Sequence, residues 1–170
     1  MASLIVAWDT CVLVDAIQRT PDRWGSIAPM LNMAIAGDLK IVISTISVAE
    51  CYWLRDAAHQ GMSQDEQDAL IEKWLENPYL VKRAADFGTY RIAAAIARET
   101  KGGLTPNDSI IAATALRHEA GTLVTYDDTN GESLLKQDGK LRVRSGSYLK
   151  ICTPDGWSAD NSAQLPFGTL

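Results

Sequence analysis

The chain has 170 residues, 46% of them hydrophobic and 22% charged, with a formal net charge of −5. That length and balance suit one soluble globular domain and exclude a disordered chain or a fibrous repeat. The first apolar run, over 4–8, is too short to span a bilayer and lacks the basic flank of a secretory leader, so a cytoplasmic protein with no membrane partner is expected.

In chain order, the apolar run 4–8 reads as a buried strand that stops at Asp9, with a helix from 10 or 11 to 17. Pro21 and Gly25 bound a turn, and 27–36 has helical spacing closed by Gly37 and Asp38. A β-branched strand over 40–44 leads into a helix-like stretch, 47–58, whose opening Ser47-Val48-Ala49-Glu50 fits the capping-box pattern. A second capping box, Ser63 to Glu66, starts a helix with Leu70, Ile71, Trp74 and Leu75 on one face, stopped by Pro78. A short strand over 79–84 and an alanine-rich helix over 90–99 follow, with Gly102 and Gly103 as the stop. The next helix has Pro106 at its first position and Gly121 as its C-cap, and Gly121 feeds a strand ending at Asp127. An edge strand is expected over 148–152, with 155–170 as a C-terminal tail beyond a domain covering 1–154. Helices alternating with short apolar strands indicate an α/β domain with a mostly parallel sheet.

The cysteines, Cys11, Cys51 and Cys152, form no CxxC pair, and the histidines, His59 and His118, form no HExxH pair, so any metal must be held by oxygen. Four acids stand out by position. Asp9 and Asp127 end strands, Glu50 opens the helix after the second strand, and Asp108 lies in the first turn of the helix before the strand that ends at Asp127. In open α/β sheets chemistry gathers beyond the carboxyl ends of the strands, so all four are expected to converge on one pocket. Carboxylates so placed repel one another unless a hard divalent cation lies between them. Each acid also has an ordinary reading: Glu50 completes a capping box with Ser47, Asp108 one with Thr105, Asp9 caps a helix, and Asp127-Asp128 is an acidic turn. None of these explains why four should gather at one edge. The negative net charge argues against a strongly electrostatic nucleic-acid binder, although Lys136, Lys140, Arg142, Arg144 and Lys150 bunch late in the chain, either as a solvated surface or as an RNA-contacting patch.

The segments AWDTCVLVDAI with Asp9 and Thr10, STISVAEC with Glu50, NDSIIAATA with Asp108 and LVTYD with Asp127 together resemble the PIN-domain family, and within it the VapC-type toxin ribonucleases of VapBC toxin-antitoxin systems. The resemblance runs from residue 4 to about residue 154. Cys11 stands where that family often has Asn, and Asp128-Thr129-Asn130 replaces a frequent Asp-Phe, which leaves the fourth ligand open between Asp127 and Asp128. The resemblance implies a three-layer α/β/α fold with a central sheet of about five strands. It further implies an Mg²⁺- or Mn²⁺-dependent endoribonuclease in which Asp9, Glu50, Asp108 and Asp127 are both catalytic residues and metal ligands, with one or two ions. Thr10 and Asn107 would touch water or phosphate beside them. The expected partners are RNA, a small antitoxin protein and a second copy of the chain in a homodimer, with Trp53 as a candidate anchor for the antitoxin. The alternatives are a solitary PIN-domain nuclease and an inactive PIN-like module that binds RNA or protein. A phosphatase with Asp9 as nucleophile is disfavoured because Cys11 occupies the place of the second Asp that such enzymes of the haloacid dehalogenase type carry.

Overall fold

A computed structural model describes residues 3–51, 61–128, 133–142 and 146–161. Five strands, β1 (Leu4–Trp8), β2 (Leu39–Ser44), β3 (Leu80–Arg83), β4 (Thr122–Val124) and β5 (Lys150–Cys152), pair in parallel throughout, in the order β3-β2-β1-β4-β5. Strand order therefore reverses between β1 and β4. Ala7 pairs with Val42 on one side and Leu123 on the other, so β1 is the sheet's centre.

Side chains alternate across a strand, and the alternation divides the interior in two. Val6, Trp8, Ile41 and Ile43 face one core, covered by α1 (Thr10–Gln18), α2 (Pro21–Ala36), α4 (Gln64–Leu75) and α7 (Pro154–Asp160). Ala7, Val42 and Leu123 face the other, covered by α5 (Phe87–Glu99) and α6 (Pro106–Arg117). With the short α3 (Thr45–Glu50), this is the three-layer α/β/α arrangement expected from the sequence. No helix among the described residues is long and apolar enough to cross a membrane.

Several local expectations are corrected. The stretch 21–25 is not a turn but the first part of α2: Pro21 occupies the opening turn, where its missing N–H costs nothing, and Gly25 is carried inside the helix. Helix α3 starts directly from the end of β2, capped by the Ser44 side chain accepting from the Ile46 N–H, so Ser47 is an interior residue and Glu50 the last residue rather than part of a capping box. The rest of the helix expected over 47–58, beyond residue 51, lies outside the described residues, and so does Trp53. The end of α6 falls at His118, with Glu119 taking the left-handed conformation (φ 57°) and the Ala120 N–H returning to the Ala115 carbonyl; Gly121 instead donates to Ile5 at the start of β4. The Ser63–Glu66 capping box is present as read.

Of the residues assigned to a tail, 155–160 form most of α7, whose Trp157 is buried against α2 and the core beneath it. Residues from 162 onward lie outside the described ones.

Candidate metal and nuclease site

Asp9 follows β1 directly, its N–H bonded to the Val124 carbonyl at 3.0 Å, and it caps α1 by accepting from the Thr10 N–H at 2.6 Å. The ordinary reading of Asp9 as a helix cap is therefore correct, but it uses only part of the carboxylate. Its other oxygen accepts from the Thr125 hydroxyl at 2.7 Å and from the Cys11 thiol at 3.2 Å. Burial lifts the Asp9 pKa above 3.8 against these lowering hydrogen bonds, and the nearby Asp108 charge adds to the rise.

Glu50 reaches across from α3. Its two oxygens accept from the Thr10 hydroxyl at 2.5 Å and the Asn107 amide at 2.6 Å, which ties α3 to the starts of α1 and α6. Asp108 does meet Thr105, whose hydroxyl accepts from the Asp108 N–H at 3.1 Å and donates to its carboxylate at 2.6 Å. Burial raises the Asp108 pKa, and the charges of Asp127 and Glu50 raise it further. Asp127 accepts from the Leu134 N–H at 3.0 Å.

Asp9, Glu50, Asp108 and Asp127 all line one pocket, together with Thr10 and Cys11. It opens beyond the carboxyl ends of β1 and β4, where the strand order reverses. Asp128 is exposed and is not among the lining residues. The pocket also contains two side chains that the sequence did not single out, Asp15 and Arg23, and a third, Thr125, lies buried behind it. Asp15 is buried and accepts from the Thr20 hydroxyl at 2.8 Å and from Arg23 at 2.6 Å. Arg23 is the one cation among the described lining residues, and its guanidinium lies 4.2 Å from the centre of the Tyr126 ring. Thr125, fully buried, accepts from the Asp127 N–H at 2.8 Å while donating to Asp9, and so joins the two acids; β4 ends at Val124, so Asp127 lies three residues beyond the strand rather than at its end as expected. The Thr in LVTYD was the available signal for it.

The donor set is oxygen-rich, and its one sulfur is a thiol that burial keeps protonated, which fits a hard divalent cation. Among the described residues, however, no group of three or more His, Cys, Asp and Glu side chains stands in a metal-holding arrangement. Each carboxylate is turned onto a neighbouring hydroxyl or amide donor, contacts that a shared ion would have to displace.

The raised pKa values give a pH prediction. As ligands of the kind expected from the sequence, Asp9 and Asp108 would have to be ionised, and protons would compete with metal for them. Activity should therefore rise with pH through a midpoint above 3.8. Raising Mn²⁺ should move that midpoint down, and pH–rate profiles at two Mn²⁺ concentrations check both points.

A doubly wound α/β domain with acids gathered at its switch point narrows the class, and the comparisons supply the family. Residues 6–129 match the PIN domain, and the chain belongs to that family. No curated protein gives a significant sequence match. Among solved structures, VapBC2 from Rickettsia felis bound to a DNA fragment from their promoter is similar at TM-score 0.57 and 20% identity, over 87% of this chain and 98% of that one. DNA-bound VapBC from Salmonella typhimurium gives 0.56 and 17%, over 87% and 98% of the two chains. FitAcB from Neisseria gonorrhoeae gives 0.54 and 21%, over 88% and 97%. At such identities the likeness establishes the fold.

Proposed function

We propose that this chain is a cytoplasmic, Mg²⁺- or Mn²⁺-dependent endoribonuclease and the toxin of a toxin-antitoxin pair. The observation that carries the reading is the gathering of Asp9, Glu50, Asp108 and Asp127, far apart in sequence, around one pocket where their charges oppose one another. These four would hold the ion, with Asp127 rather than Asp128 as the fourth ligand. When bound, the ion supplies charge neutralisation for a phosphodiester and a lowered pKa for the attacking water. The chain's own residues do the positioning. Thr10 and Thr125 fix the Asp9 carboxylate, Thr10 and Asn107 brace Glu50, and Arg23 at the pocket wall offers a positive charge to an anionic substrate. The nuclease domain is taken as 1–154 and 155–170 as a C-terminal tail, of which 155–160 belong to α7 and place Trp157 in the core.

Two of the similar structures are VapBC bound to DNA, which supports a small antitoxin as partner; a homodimer is proposed alongside it. An acidic pocket of this kind can be silenced by a partner's inserted Arg or Lys.

The purified chain should cut RNA in Mn²⁺ or Mg²⁺ and stop in EDTA; cutting that persists in EDTA would overturn the mechanism. A PIN-like module without activity is the second reading, favoured by the lack of a ready-made group of three ligands among the described residues. RNA bound but left intact in Mn²⁺ would establish it. A chain that cuts RNA yet is harmless to growth and has no small partner would be a solitary nuclease.

A further inference from the structure

Among the described residues, a concentration of positive charge lies away from the acidic pocket. A cavity of about 800 Å³ on the outer side of α5 and α6 is lined by Arg91, Arg98, Arg117 and Arg142 around an apolar floor that includes Ile92 and Leu116. Beside it, Lys140 and Tyr148 line an adjoining hollow, where Glu99 is the one acid. Four guanidinium groups around one cavity are conspicuous in a chain of net charge −5. Arg91 and Arg98 are exposed, and neither is paired with a carboxylate among the described residues. They lie two turns apart on one face of α5, about 10 Å along its axis, which suits two separate phosphates of a strand better than one lone phosphate. Arg117 is held in place by Asp86 at 2.5 Å, and its guanidinium lies over Gly88, where any Cβ would collide with it.

The aromatic content separates one polyanion from another. Tyr148 is 50% exposed, and Arg142 sits over its ring at 5.4 Å while also bonding its hydroxyl. Guanidinium groups beside an exposed aromatic face are what single-stranded nucleic acid uses, since bases stack while phosphates pair. An acidic peptide would gain nothing from the ring.

We propose that this groove binds the sugar–phosphate strand of single-stranded RNA, with the arginines on phosphates and Tyr148 under a base, as a second contact for the substrate whose scissile bond enters the acidic pocket. The proposal rests on the nuclease reading for its choice of RNA. Helix α6 links the two places, with Asp108 in its first turn at the pocket and Arg117 at its other end in the groove. About 13 Å of helix axis separates them, so a strand of several nucleotides reaches both and a dinucleotide reaches only one. The groove also removes the electrostatic objection to an acidic ribonuclease, because it separates strand binding from metal binding.

The test uses the full chain and a labelled single-stranded RNA dodecamer in EDTA, with anisotropy followed against salt. Arg91→Glu/Arg98→Glu should weaken binding at least about 10-fold at low salt, and Arg91→Ala/Arg98→Ala should reduce the log–log salt slope by about 1.4, or about 0.7 per phosphate contact. Tyr148→Ala should weaken binding with no change in slope. In Mn²⁺, the arginine variants should raise KM for the dodecamer and leave cleavage of a dinucleotide unchanged. Unchanged dodecamer affinity and slope in folded arginine variants would overturn the groove, as would an oligoglutamate peptide that displaces the RNA and binds more tightly than it. Arginine-dependent binding without Mn²⁺-dependent cleavage would keep the groove and remove the nuclease reading instead.

Discussion

Asp9→Asn is expected to slow RNA cleavage at least about 100-fold, or about 2.7 kcal/mol of barrier, while making the fold more stable. The two effects share one cause. Asn keeps the shape of the side chain and an oxygen for the Thr10 N–H, and its amide N–H can donate to the Thr125 oxygen once that hydroxyl turns its proton away, so the cap and the strand end are largely retained. What it removes is a charge confined where burial opposes it. Because the folded-state pKa of Asp9 is raised, the folded chain favours the protonated form. Its contribution to stability is full at pH below the unfolded value and is lost as pH rises through the raised folded value. At neutral pH the wild type carries that loss and Asn does not. A gain of about 1 kcal/mol corresponds to about 2–4 °C in Tm for a domain of this size. Thermal melts at pH 7 and single-turnover cleavage in Mn²⁺ measure the two effects. A variant as active as wild type would remove Asp9 from the site, and one less stable than wild type would refute the burial argument.

Trp8→Ala is expected to cost about 3–5 kcal/mol in stability, enough to threaten folding near body temperature. Trp8 is fully buried at the end of the central strand, and its ring stacks on Trp74 of α4 at 6.4 Å between centres. Alanine would leave a cavity between the sheet and α4, next to Asp9. Trp8→Phe should lose far less, since the ring keeps most of its apolar contact while the indole N–H, which is buried with no hydrogen-bond partner among the described residues, is removed. Urea unfolding of the two variants gives the comparison. Equal losses would mean that the indole N–H, not the packing, decides the stability here.

The acids at and just past the strand ends were legible in the sequence because a buried strand is a short apolar run, and a charge that follows such a run must lie at the sheet's edge. Pro106 and the Ser63–Glu66 pair were legible for a similar reason, each being a local rule about orphan N–H groups. Local rules also misled. Ser47 and Glu50 have capping-box spacing, yet Ser44 begins α3 because β2 runs straight into it. Gly121 looked like the helix stop, but Glu119 accepts the left-handed turn, and the glycine leads directly into the next strand. Asp15 and Arg23 were not legible, nor was the role of Thr125, visible only as the Thr of LVTYD. Thr125 and Asp9 are 116 residues apart, and their bond exists only because β1 and β4 are neighbours. The basic groove was half legible: Lys140 and Arg142 were marked as a bunch, while Arg91, Arg98 and Arg117 come from helices whose adjacency only the fold supplies.

The Thr125 hydroxyl has a further consequence, which follows from direction rather than distance. An amide N–H can only give a proton, so the Asp127 N–H fixes the Thr125 oxygen as its acceptor. The oxygen still has a second lone pair and its one proton: with Asp9 ionised the proton goes to the carboxylate, and with Asp9 protonated the same oxygen can accept from the carboxyl group while its proton turns toward the Cys11 sulfur, 3.6 Å away. The backbone of one strand thus holds a hydroxyl that can serve both charge states of a side chain on its neighbour.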